Sequence, residues 1–522
     1  MRSLLAISIF GLVVAGCKSS STTPTPTCAV SAISLSGAPA TLNVGATATI
    51  VATATQQNCT NLVFTWSSSN SALLTVNQSG LITGVAAGGP VTITASAGGK
   101  NGTAQVTVTA VPVTTVTVVP DSIIVGAGST FQLAATTRAA DNSVLSGRIV
   151  SWASTAGATA TVSTTGLVTA VAAGATTVTA TSETINGTGK VFVARPRLVY
   201  FWNNFATPGG VQTPSATYSY SLGSGANTVN SASTGNYTLG YTSFARTGAE
   251  TEALFVTAYA GTPGSYCTIG SWGAESASTR CWNATGVATD NDFDFLAVGS
   301  GTFAGRLAYA WVDNGSPSAP YQPQALYRFS SSNAAITVTK TATGIYSVLF
   351  AGLGRGATSD REAVMVSSYG GTSIQCQPSG WTTTGVDLTA VVYCFSNAGA
   401  AIDSPFDILV ISQPRAGATL GYVDADQPSS TAPYSPANSK VLPTGTATVT
   451  RTGVGAYSVR LDGLVRSGVL KETFQITAVG TTAVRCVSAG WGFDATGVTS
   501  TVSCTTPAGV ATDSRFVLIG LQ

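Results

Sequence analysis

The feature that most constrains this chain is that it repeats itself, at two different periods. Trp66-Ser67-Ser68-Ser69-Asn70 returns in looser form as Trp152-Ala153-Ser154, a step of 86 residues. Gly80-Leu81-Ile82-Thr83 returns at the same step as Gly166-Leu167-Val168-Thr169, and Gly88 as Gly174. Self-similarity at a fixed step marks a duplicated structural unit. From about residue 195 a second pattern takes over. Gly235-Asn236-Tyr237, Gly344-Ile345-Tyr346 and Gly455-Ala456-Tyr457 stand at steps of 109 and 111. Each is followed by a C-x4-W motif (Cys267/Trp272, Cys376/Trp381, Cys486/Trp491), a second cysteine (Cys281, Cys394, Cys504) and a D-x-x-F motif (Asp290/Phe293, Asp403/Phe406, Asp513/Phe516).

Alternating runs such as Thr92-Ile93-Thr94-Ala95 and Gln105-Val106-Thr107-Val108 read as half-buried strands. Gly80 and Gly166 suit hairpins that need positive φ. A tryptophan expected on a central strand, with many short strands in under ninety residues, points to a sandwich. The pattern W-S-S-x-N, V-x-x-x-G-L-[IV]-T, V-A-A-G resembles the bacterial Ig-like domain, group 2. The resemblance covers residues 28–110 and 111–194 and implies β-sandwich spacer or adhesion modules, of the kind found in intimin-like and invasin-like surface proteins, with no catalytic residues. The remainder divides into β repeats at 195–303, 304–413 and 414–522. These resemble repeats of secreted bacterial proteins, a likeness that carries no activity. The fold class expected is all-β, as tandem antiparallel β-sandwiches.

The first residues, MRSLLAISIFGLVVAGCKSSS, place Arg2 before an apolar stretch from Leu4 to Ala15, too short to span a bilayer. The run Val14-Ala15-Gly16-Cys17 resembles the bacterial lipobox. That resemblance implies a signal peptide over 1–16, lipidation of Cys17 and attachment to a membrane, with Lys18 compatible with outer-membrane sorting. Residues 17–27, rich in Ser, Thr and Pro, read as an extended tether open to glycosylation. With Cys17 set aside, eight cysteines remain in an oxidising compartment. Eight allow 105 pairings in principle. The ends of adjacent antiparallel strands bring Cys28 to Cys59. Separations of 14, 18 and 18 residues suit hairpin bridges Cys267–Cys281, Cys376–Cys394 and Cys486–Cys504.

Function is constrained mostly by exclusion. The chain has no histidine, which removes the usual general base and most catalytic zinc sites. A net charge of +2 without basic clusters argues against nucleic acid. No cofactor and no metal site is expected. Calcium at Asp290-Asn291-Asp292-Phe293-Asp294 is weighed and set aside, because only the first aspartate recurs in all copies; that residue reads as a turn-former. Trp272, Trp381 and Trp491 read as core residues packed on their disulfides rather than sugar platforms. Trp202, Trp282 and Trp311 are expected at the surface. Tyr321-Gln322-Pro323 and Tyr434-Ser435-Pro436 read as strand-entry turns. The expectation is therefore a non-catalytic, membrane-anchored binding, adhesion or structural protein of the cell envelope or surface, with a protein or glycan ligand. A polysaccharide-binding accessory protein is the alternative, and a carboxylate-only glycoside hydrolase, needing two facing acids, stands behind it.

Overall fold

A computed structural model describes residues 27–194, 197–204, 209–222, 225–242, 251–273, 275–300, 302, 306–355, 361–412, 420–465 and 472–522. The expected signal peptide, Cys17 and all of the expected tether but Thr27 lie outside the described residues. Within the described residues the fold is all-β, with a single 3-10 turn at Ala325–Tyr327 and no helix long and apolar enough to cross a membrane. One compact unit runs to Thr114 and includes Arg138–Ser143; the other holds Thr115–Thr137 and Val144–Gln522.

The first N-terminal domain has a four-stranded sheet in the order Thr41–Asn43, Lys100–Thr109, Gly88–Ala97, Thr65–Ser68, and a three-stranded sheet of Thr47–Thr49, Leu81–Gly84 and Leu74–Val76. Leu42, Ile50, Leu74, Ile82, Val91, Ile93, Val106 and Val108 fill the space between them. The second N-terminal domain repeats both strand orders, with Ser122–Gly126, Ile185–Ala194, Gly174–Ser182 and Ser151–Ser154 in its larger sheet. The tryptophan strands Thr65–Ser68 and Ser151–Ser154 are edge strands, not central ones, and both indoles are only half-buried. Their place is fixed by the hairpin glycines. Gly80 (φ 78°) and Gly166 (φ 83°) lie so close to Trp66 and Trp152 that a Cβ would come within 2.9 Å of the indole. The spacing between W-S and G-L in each copy records that contact.

Each C-terminal repeat is a sandwich of two antiparallel layers, four-stranded except for the outer layer of repeat 1, where Gly210–Gln212 adds a fifth strand. In the second repeat the outer layer runs Ile336–Ala342, Ile345–Phe350, Asp387–Ser396, Ile374–Thr384; the inner layer runs Arg328–Ser330, Arg306–Val312, Phe406–Ser412, Glu362–Ser368. Outer strands alternate buried and half-buried residues, as in Ile345–Phe350. Inner strands such as Glu362–Ser368 and Phe406–Ser412 are buried at every position. A strand buried on both faces must be covered on both sides. One face looks into its own sandwich. The other looks into a core shared by all three repeats, where Tyr200, Phe255 and Leu296 meet Tyr309, Met365 and Leu409, and Tyr422, Val517 and Ile519. The three sandwiches therefore form one closed body, an arrangement that reading them as successive repeats does not contain.

The motifs of each repeat meet in one corner. The glycine of G-x-Y has φ of 66–67° in every copy. Its N–H donates to the D-x-x-F aspartate Oδ1 (Asp290, 2.7 Å; Asp403, 2.7 Å; Asp513, 2.9 Å). Its carbonyl accepts from the N–H of the second cysteine at 2.7–2.9 Å. The tyrosine hydroxyl accepts from the residue after the aspartate, Asn291, Ser404 or Ser514, at 3.0 Å. The tyrosine ring packs on the motif phenylalanine, with centroids 5.1–5.2 Å apart. Burying a polar turn requires such mutual satisfaction of donors and acceptors.

Candidate binding site

All four expected disulfides are formed: Cys28–Cys59, Cys267–Cys281, Cys376–Cys394 and Cys486–Cys504. In the three repeats the paired cysteines stand directly opposite across a hairpin. Each hairpin carries its tryptophan toward the next repeat. Trp272 of repeat 1 enters a box of Trp311, Tyr327 and Tyr369 in repeat 2, at 5.0–5.6 Å between centroids. Trp491 of repeat 3 enters the equivalent box of Trp202, Tyr218 and Tyr259 in repeat 1, at 4.9–5.8 Å. Trp381 of repeat 2 meets a polar version in repeat 3. The Arg515 guanidinium lies 5.2 Å from its ring and pairs bidentately with Asp424 at 2.6 and 2.7 Å. A backbone bond seals each junction: Gly370 N–H to Ile269 O, Gly480 N–H to Pro378 O, and Ala260 N–H to Ser488 O, at 2.7–2.9 Å. The repeats thus close head to tail, 1 to 2 to 3 to 1.

This arrangement corrects two expectations. The C-x4-W tryptophans do touch the cores of their own repeats, but they are also wedges between repeats. Trp202 and Trp311 are not surface residues; they are half-buried walls of the boxes, and Trp282 is half-buried as well, with its indole N–H 3.4 Å from Thr268 Oγ1. Tyr321 and Tyr434 pair with Val338 and Val449 through backbone bonds, and each hydroxyl accepts an N–H of the preceding loop, so both act as strand entries. Asp290 is engaged by the Gly235 turn like its counterparts.

Sequence reasoning missed Arg485. Buried where the repeats meet, it donates to Gly264 O, Pro507 O, Asn397 O, Asn397 Oδ1 and Gln375 Oε1, and lies 4.0 Å over the Tyr266 ring. Tyr266, Gln375 and Arg485 are equivalent positions, each just before the first cysteine of its repeat. Beside them lies a small cavity of about 60 Å³ lined by equivalent residues of all three repeats, among them the hydroxyl-bearing Thr257, Ser367 and Thr477. A larger cleft of about 480 Å³ lies between the second N-terminal domain and repeat 2. Neither is lined by a carboxylate. Asp294 and Asp407, two of several buried acids, lie elsewhere, and burial raises the pKa of both well above the usual carboxylate range.

With the geometry in hand, the family model of the bacterial Ig-like domain (group 2) matches residues 29–109 and 112–193. These two segments are bacterial Ig-like domains. Over 119 residues the chain is 36% identical to Ice-binding protein 1 of Shewanella frigidimarina (strain NCIMB 400), a match covering 23% of this chain and 13% of that protein. Domains 4 and 5 of the S-layer protein SbsC match at 24% identity, over 32% of this chain and all of that one, with a TM-score of 0.19. Human protocadherin-24 EC1-2 matches at 14% identity over 32% of this chain and all of that one, with a TM-score of 0.17. Scores this low carry no argument about function, and the Ig-like pair occupies only the first part of the chain.

Proposed function

We propose that this chain is an exported lipoprotein, held at the outer membrane or cell surface through Cys17, whose Ig-like pair serves as a spacer and whose three-repeat body is a non-catalytic binding or structural head. The observation that carries the reading is the closed three-repeat body. Its hairpin tryptophans and its buried arginine are spent on holding the repeats together, and the four cavities described along its surface and junctions have no acid in their linings, where hydrolysis without histidine requires a pair. The Ig-like domains and the disulfides support an extracytoplasmic location. The membrane partner is reached through the lipid: one acyl chain binds weakly, and two or more make attachment durable.

The test is metabolic labelling with an alkyne fatty acid, followed by membrane fractionation and protease treatment of intact cells. The wild-type chain is expected to take label and sediment with membranes; Cys17→Ala is expected to lose both. A wild-type chain that is secreted free of label sinks the anchor. Repeats protected from protease to the same extent as a periplasmic control sink the surface placement.

A further inference from the structure

We infer that the cleft between the second Ig-like domain and repeat 2 is a binding site for a small carboxylate-bearing sugar, read by Arg328. The inference deepens the proposed binding role and rests on it. The cleft, at about 480 Å³, is of the size that holds small ligands, and domain junctions are where such sites concentrate. One lip is Ser122–Gly126, the edge strand of the Ig-like sheet. Ser122 O on that strand accepts the Asn333 side-chain amide of repeat 2 at 3.2 Å, fixing the junction. Ile124 and Phe329 supply an apolar floor continuous with the shared core. Gln322 and Asn333 add amides.

Arg328 is the one charged residue described in the lining. Arg197, Arg355, Arg451, Arg460 and Arg515 pair with carboxylates, while Arg138, Arg280 and Arg485 are held by carbonyl or amide oxygens. Arg328 makes one hydrogen bond, to Pro323 O at 2.7 Å, and has no carboxylate partner among the described residues. It is half-buried, and loss of water lowers its pKa, so its charge is held at a cost. The fold does not call for it. At the repeat steps of 109 and 111 residues its equivalents are Ser219 and Ser439. A guanidinium with unused donors is a planar fork that fits a carboxylate in two parallel bonds. Amides and hydroxyls around an apolar floor suit the ring of a sugar, and no acid in the lining repels the anion.

The experiment uses the mature lipoprotein in detergent micelles, titrated by calorimetry with glucuronate, glucose and inorganic phosphate. Glucuronate is expected to bind at least tenfold more tightly than either other probe. Arg328→Ser, the residue its sibling repeats carry, is expected to lose at least tenfold in glucuronate affinity with near-ultraviolet circular dichroism unchanged. Ser122→Trp, placed on the exposed lip, is expected to block the cleft and abolish binding. Equal binding of glucose, equal binding of phosphate, an Arg328→Ser variant that binds normally, or no binding of glucuronate would each overturn the assignment. Labelling of Cys17 is measured separately, so failure here leaves the surface-protein reading standing or falling on its own assay.

Discussion

Asp292 shows how a single residue sets a pH dependence. It lies two residues after the motif Asp290, its Oδ1 is buried without a hydrogen-bond partner, and burial raises its pKa to about 6. A carboxyl whose folded pKa lies above its unfolded value of about 4 stabilises the fold below that value, and the contribution is lost as pH rises through 6. Because the group keeps partial access to water, screening reduces the effect to on the order of 1 kcal/mol. Asp292→Asn is therefore expected to match the wild type near pH 3 and to exceed it above pH 6. Thermal unfolding midpoints measured from pH 3 to 8 check this; a difference that stays flat or shrinks with rising pH refutes it. Asp407 is the more extreme case. It is fully buried with neither carboxyl oxygen hydrogen-bonded, so Asp407→Asn is expected to shift stability in the same direction, over a window that extends further up in pH.

At the level of elements, the tryptophan hairpins do the joining. Replacing a large buried aromatic with alanine costs about 3–5 kcal/mol when the site cannot collapse. Trp272 and Trp491 are half-buried, so Trp272→Ala and Trp491→Ala, which empty aromatic boxes, are expected to fall at the low end of that range, about 3 kcal/mol. Trp381 lies on a guanidinium that already has Asp424 as its partner rather than in an aromatic box, so Trp381→Ala is expected to cost less, about 2 kcal/mol. Denaturant unfolding of the three variants checks the order, and equal losses would show that the boxes add nothing. The hairpins themselves were legible: C-x4-W with a second cysteine fixed the bridges, and G-L fixed the turns of the Ig-like pair. The destination of each tryptophan was not, because its partners lie a whole repeat away and no spacing within one copy encodes them. A signal was nevertheless present. At matching positions repeats 1 and 2 carry Trp202/Trp311, Tyr218/Tyr327 and Tyr259/Tyr369, while repeat 3 carries Asp424, Asn438 and Val479. A set that changes all at once across a repeat describes one socket. Arg485 escaped for a related reason, since a lone arginine whose acceptors are carbonyl and amide oxygens, most of them in other repeats, leaves no pattern in the sequence.

At the level of the whole molecule, the inner strands decide whether the repeats are independent. Phe406-Asp407-Ile408-Leu409-Val410-Ile411 and Phe516-Val517-Leu518-Ile519 are nearly continuous apolar runs, whereas a sandwich with one wet face alternates. The alternate positions Leu409, Ile411, Val517 and Ile519 serve only the shared core. Removing residues 414–522 uncovers Tyr309, Met365, Leu409 and Ile411 of repeat 2, leaves Trp381 without its socket and takes Trp491 from the box of repeat 1. Each large apolar side chain returned to water costs about 1.5–3 kcal/mol, and a domain's whole stability is only about 5–15 kcal/mol. The two remaining repeats are therefore expected to lose cooperative unfolding and to bind a hydrophobic dye, or to recover their missing face by associating with other copies. In the intact chain, residues 195–522 are expected to melt in one transition. Calorimetry and sedimentation of the truncated and full-length proteins distinguish the cases. A truncated chain that stays monomeric, binds no dye and melts as sharply as the parent would mean the shared core is a contact between finished domains rather than a condition of their folding.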